Sequence, residues 1–103
     1  MSIKITDANF DGIINEGISL IDFKTDWCGP CTAMSPIIDQ ISEDYPDVKV
    51  GKMDVDENSE IPKKLGIRSI PTIIVYNNGE IIERKVGIVS KDQIKEILDK
   101  QLS

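Results

Sequence analysis

The spacing of apolar residues changes several times along the chain, and each change marks an element. Ser2 to Ile5 is a short β-prone segment, after which Thr6 or Asp7 is placed to cap a helix with Phe10, Ile13 and Ile14 on one face, ending at Gly17. Ile18-Ser19-Leu20-Ile21-Asp22-Phe23 is an almost unbroken apolar run of strand length, the pattern of a strand covered on both faces. Asp22 is its one charged residue. From Cys28 onward the period becomes helical: Cys31, Met34, Ile38, Ile41 and Tyr45 form one stripe, widened by Ile37. Pro30 suits the first turn, where an N–H would be unpaired in any case, whereas Pro36 predicts a kink near Thr32 and Tyr45-Pro46-Asp47 ends the helix.

Val48 to Val55 is the next strand, and a parallel crossover through the preceding helix is the economical way to join it to the Leu20–Phe23 run. Asp56 to Ser59 turn into a short helix carrying Ile61 and Leu65, stopped by Gly66. Ile70-Pro71-Thr72 opens a β-branched run, Ile73 to Tyr76, followed by Asn77-Asn78-Gly79 and then Ile81-Ile82. Asn-Gly between two such runs predicts a hairpin, because a primed turn needs positive φ at both central residues. Ser90 and Gln93 have the spacing of a capping box ahead of Ile94, Ile97, Leu98 and Leu102. The order β-α-β-α-β-α-β-β-α describes an α/β fold, a mixed sheet with helices on both faces.

At 103 residues the chain has room for one core, so residues 1–103 are expected to form a single domain acting as a monomer. Twelve basic against 18 acidic residues leave a net charge of −6, spread along the chain, which argues against nucleic acid or an anionic membrane as the primary ligand. Met1 to Asp7 lack the apolar core of a secretory signal, and the expected location is cytoplasmic. There is no histidine, which excludes imidazole bases, Ser/His/Asp triads, Cys/His proteases and His-containing metal sites.

The chemistry then falls to the two cysteines, both inside Trp27-Cys28-Gly29-Pro30-Cys31. Residues three apart on a helical turn have Cβ atoms about 5 to 6 Å apart, a separation from which a disulfide can close and open with little backbone movement. Cys28, at the helix N-terminus, meets unpaired N–H groups and the positive end of the helix dipole, which favour a thiolate; Cys31 lies one turn deeper. Cys28 is therefore the expected nucleophile and Cys31 the resolving thiol of a thiol–disulfide exchange. A structural staple is a poor alternative, since closing so small a loop is worth only roughly 2 kcal/mol and a reducing compartment would not keep it. A zinc site would need two further ligands that the chain does not have without dimerising.

Trp27-Cys28-Gly29-Pro30-Cys31, with Asp22-Phe23 upstream and Ile70-Pro71-Thr72 downstream, resembles the thioredoxin family. The likeness runs from about Ile3 to Leu102 and includes Lys52-Met53-Asp54-Val55-Asp56, Asn78-Gly79-Glu80 and Lys85-Val86-Gly87. It implies a thioredoxin fold of five mixed strands and four helices and a cytosolic protein-disulfide reductase that needs no bound cofactor. The implied partners are disulfide-containing proteins and an NADPH-dependent flavoprotein reductase. It further implies that Asp22 is buried beneath the cysteines near Lys52 and accepts the proton of Cys31. Pro71 would follow a cis peptide bond and leave the Ile70 backbone free for an extended substrate. Trp27, Val55, Ile70, Gly87 and Ile88 would form an apolar rim beside Gly29 and Pro30.

Two positions depart from the family pattern: Lys24 stands where many members carry a second tryptophan, and Thr32 where a lysine commonly follows the second cysteine. Two other functions compete. A binding module could use the Trp27–Pro71 surface with the dithiol regulatory, or the fold could serve an oxidase or isomerase. The absence of both a signal segment and a histidine between the thiols disfavours the second.

Overall fold

The computed structural model describes residues 2–103. The elements follow the expected order: β1 (Ile3–Ile5), α1 (Phe10–Ile14), β2 (Ile18–Lys24), α2 (Gly29–Asp44), β3 (Lys49–Asp54), α3 (Glu60–Lys64), β4 (Thr72–Asn77), β5 (Glu80–Val86) and α4 (Lys91–Leu102). Hydrogen bonding orders the five strands β1-β3-β2-β4-β5. The crossover through α2 makes β2 and β3 parallel and sets Asp22 against Lys52. Asn78 and Gly79, with φ of 51° and 86°, turn the chain sharply enough to pair β4 and β5 antiparallel.

Strand alternation divides the core into two layers. On one face Leu20, Val50, Ile73 and Val75 meet Met34, Ile38 and Ile41 of α2 and Ile94 and Leu98 of α4. On the other, Ile21, Phe23, Met53, Ile74 and Tyr76 pack with Ile5, Phe10 and Ile61. Each such fully buried aliphatic side chain contributes about 1.5–3 kcal/mol, so both faces of β2 are anchored and its register is fixed. At the far edge, a Cβ on Gly51 would collide with the Ile5 side chain and come within 2.8 Å of the Ile3 carbonyl oxygen, so the docking of β1 on β3 requires glycine there.

The helix boundaries differ from expectation in instructive ways. Thr6 and Asn9 exchange side-chain bonds, the Asn9 N–H donating to Thr6 Oγ1 at 3.2 Å and the Thr6 N–H to Asn9 Oδ1 at 2.7 Å, but they close a turn ahead of α1 rather than cap its first residue. Asp7 serves another element altogether: its carboxylate accepts from the N–H groups of Glu60 and Ile61 at 3.2 and 2.9 Å and so caps α3. α2 continues through Pro36 as one helix of 16 residues, so the proline deprives the Thr32 carbonyl of its helical donor without ending the element. The Ser90–Gln93 capping box forms as the spacing predicts. Among the described residues, no helix is long and apolar enough to cross a membrane.

Candidate active site

The β2–α2 junction carries the cysteines. Lys24 ends the strand, Thr25 to Trp27 form the connection, and Cys28 is the N-cap of α2 with extended backbone. The Cys31 N–H, one of the donors a helix start leaves without an intrahelical partner, donates to Cys28 Sγ at 3.2 Å. The Thr32 N–H and hydroxyl both donate to the Cys28 carbonyl at 3.1 Å, which fixes the loop from the helix side. Cys28 and Cys31 are joined as a disulfide with Cα atoms 5.2 Å apart. Gly29 and Pro30, between them, are exposed.

Across the motif, the Ile70–Pro71 bond is cis, and the Ile70 carbonyl oxygen lies 3.9 Å from Cys28 Sγ. The Gly87 N–H donates to the Pro71 carbonyl at 2.8 Å, and the Val89 N–H to Met34 Sδ of α2 at 3.4 Å, so the loop after β5 is tied to both sides of the site. Trp27 is 76% exposed with its indole N–H donating to Asp56 at 2.7 Å. Ile88 is also exposed and Ile70 half-buried. Val55, half-buried as Ile70 is, packs against the Phe10 and Ile61 core. Val86, opposite Thr72 at the end of β5, adds an exposed apolar side chain that strand patterning alone did not single out.

Asp22 is 1% exposed on the α2 side of β2, and among the described residues neither carboxylate oxygen has a hydrogen-bond partner. Burial pushes its pKa from 3.8 up to about 7 against the lowering fields of Lys52 and Lys24, with Asp39 adding to the rise. Lys52 is not the direct ion-pair partner its register suggests. Its ammonium binds Asp39 at 3.0 Å and the Ser35 hydroxyl at 2.6 Å, both on α2, and acts on Asp22 through its field. No pattern in the sequence marks Asp56 as the indole acceptor or Ser35 and Asp39 as the partners of Lys52, because these contacts form only once β3 and α2 are docked. A cleft of about 160 Å³ lined by Asp22, Lys24, Thr25, Cys31, Ser35 and Lys52 brings the carboxylate and the deeper thiol to a common space.

A thiol pair held at a helix start, a cis proline opposite and a buried acid beneath have counterparts elsewhere. The family model described as Thioredoxin matches residues 1–100. The chain belongs to the thioredoxin family. It is 42% identical over 101 residues to the thioredoxin of Staphylococcus haemolyticus, with 97% of each chain covered. The thioredoxin of Staphylococcus saprophyticus is 40% identical over the same length and coverage. Among solved structures, a mutant thioredoxin from Halobacterium salinarum NRC-1 superposes with a TM-score of 0.91 at 30% identity, covering 99% of this chain and 91% of that one. As a thioredoxin-family member with a closed Cys28–Cys31 pair, the chain is a protein-disulfide oxidoreductase working as a reductase by thiol–disulfide exchange.

Proposed function

We propose that reduction proceeds with Cys28 as nucleophile, Cys31 as resolving thiol and Asp22 as proton acceptor. The observation that carries this is the placement of Cys28 as N-cap, its sulfur accepting the Cys31 N–H, above a buried carboxylate that has no hydrogen-bond partner among the described residues and shares a cleft with Cys31. In the dithiol state the same N–H stabilises a Cys28 thiolate as a charge-assisted bond. That thiolate attacks one sulfur of a substrate disulfide, the substrate S–S bond breaks, and the first substrate sulfur leaves as a thiolate. The Cys31 S–H proton passes to Asp22, and the Cys31 thiolate attacks Cys28 Sγ. The bond between Cys28 and the substrate then breaks, releasing the second substrate thiolate. Substrate gains two electrons and the domain becomes the disulfide.

Trp27, Gly29, Pro30, Ile70, Pro71, Gly87 and Ile88 receive the substrate, with Val55 at the margin. The Ile70 backbone, whose carbonyl oxygen lies 3.9 Å from Cys28 Sγ, pairs with an extended segment carrying the disulfide. Lys52 supports Asp22 by its field. The dithiol is regenerated by an NADPH-dependent flavoprotein reductase, and the domain works as a monomer in the cytoplasm without a bound cofactor. Reduction of insulin by dithiothreitol, followed by turbidity, tests the assignment. Catalysis by the native chain should be lost in Cys28→Ser, while Cys31→Ser should accumulate a mixed disulfide detectable by mass. Activity persisting in Cys28→Ser would remove Cys28 from the nucleophile role.

A further inference from the structure

Lys24 reaches the same cleft as Asp22 from two residues along β2, so both side chains lie on the α2 side of the strand. Its ammonium binds Asp26 at 2.7 Å and lies 3.9 Å from Asp54, and it is three-quarters buried while Asp26 stands in solvent. The lysine therefore spans from the loop that presents Trp27 to the space beneath Cys31. The Asp26 hydrogen bond raises its own pKa, so it stays charged. The second nearby cation, Lys52, is committed to Asp39 and Ser35. Other groups around Asp22 are few: Cys31 and Asp39 come from α2, Lys52 from β3, and the β4 neighbour is the uncharged Ile73, while Asp54 of β3 faces Lys24.

We propose that Lys24, held between Asp26 and Asp54 at the mouth of the cleft, is a positioning residue that sets how readily Asp22 takes the Cys31 proton. The inference rests on the reading of Asp22 as acceptor. The sign follows from charge: a nearby ammonium favours the carboxylate, so its loss leaves Asp22 protonated to higher pH and short of acceptor capacity at neutral pH. Releasing the ammonium from Asp26 should have the reverse effect, because the cation is freed toward Asp22 and a repelling carboxylate is removed.

The test follows the rate of mixed-disulfide resolution from pH 5.5 to 9, together with carbon NMR titration of the Asp22 carboxyl in the reduced protein. Lys24→Met should move both midpoints up and slow resolution about two- to fivefold at pH 7, with recovery by pH 9, as expected when the midpoint of an acceptor titrating near neutrality rises by up to about one pH unit. Lys24→Arg should restore the native profile, and Asp26→Asn should move it down. Unmoved midpoints in Lys24→Met, or an equal loss at every pH, would overturn the role of Lys24. Asp22→Asn separates the two readings. If it leaves the rate and its pH dependence native, Asp22 is not the acceptor; if it abolishes the dependence while Lys24→Met does nothing, only the Lys24 inference fails.

Discussion

Asp22 carries a stability cost whose pH dependence follows from its burial. Its folded pKa of about 7 lies above the ordinary 3.8, so between those values the native state holds a proton that the unfolded chain has released. The contribution of Asp22 to stability is then most favourable at and below about pH 4, falls as pH rises to about 7 and is level above. A rise from 3.8 to about 7 corresponds to about 4 kcal/mol. Urea unfolding of the oxidised protein across pH 4 to 8 should show Asp22→Asn gaining on the native chain by about 2 to 4 kcal/mol between the two ends; a constant difference would mean that Asp22 does not titrate as a buried acid. The residue was legible because a carboxylate in an otherwise apolar strand must either be paired or do work. The direction of the Lys52 ammonium was not, because strand register fixes where a side chain starts and the docked α2, with Asp39 and Ser35, decides where its end goes.

Elements defined by local sequence were readable to within a residue or two, and the misreadings fall where a cap comes from a distant segment. Asn78-Gly79 and Ser90–Gln93 act on their own neighbours, so their turn and cap were visible in the spacing. Asp7 sits where a local cap belongs, yet it bonds to Glu60 and Ile61, more than 50 residues on, and its own N–H donates to Asn58 at 2.9 Å. A helix as short as Glu60–Lys64 cannot sustain itself and depends on such a tie. Asp7→Ala should therefore destabilise the fold by about 1 to 2 kcal/mol, with faster amide exchange concentrated in α3 rather than α1. Loss of protection in α1 with α3 unchanged would restore the local-cap reading. The Trp27 rim obeys the same logic, since the Asp56 acceptor for its indole lies beyond β3 and becomes a neighbour only through the sheet.

On the scale of the molecule, an apolar rim sits in a chain of net charge −6, and the two features act at different ranges. Contact with Trp27, Val86 and Ile88 operates only on docking, whereas the overall field reaches out by a Debye length, about 10 Å at 0.1 M salt, and acts on the encounter. Asp26 and Asp56, both exposed beside Trp27, place negative charge at the rim itself. Oxidation of the reduced domain by short peptide disulfides should therefore sort by peptide charge. Between about 10 mM and 0.5 M salt, the rate with a cationic peptide should fall about three- to tenfold, that with an anionic peptide of the same apolar residues should rise, and a neutral one should change little. Trp27→Ala should slow all three by a similar factor without altering their salt slopes, because it removes contact area and no charge. Stopped-flow tryptophan fluorescence reads the first comparison, and thiol quenching reads the variant that has lost the only indole. Salt slopes that fail to separate by peptide charge would show that the rim recognises substrate by contact alone.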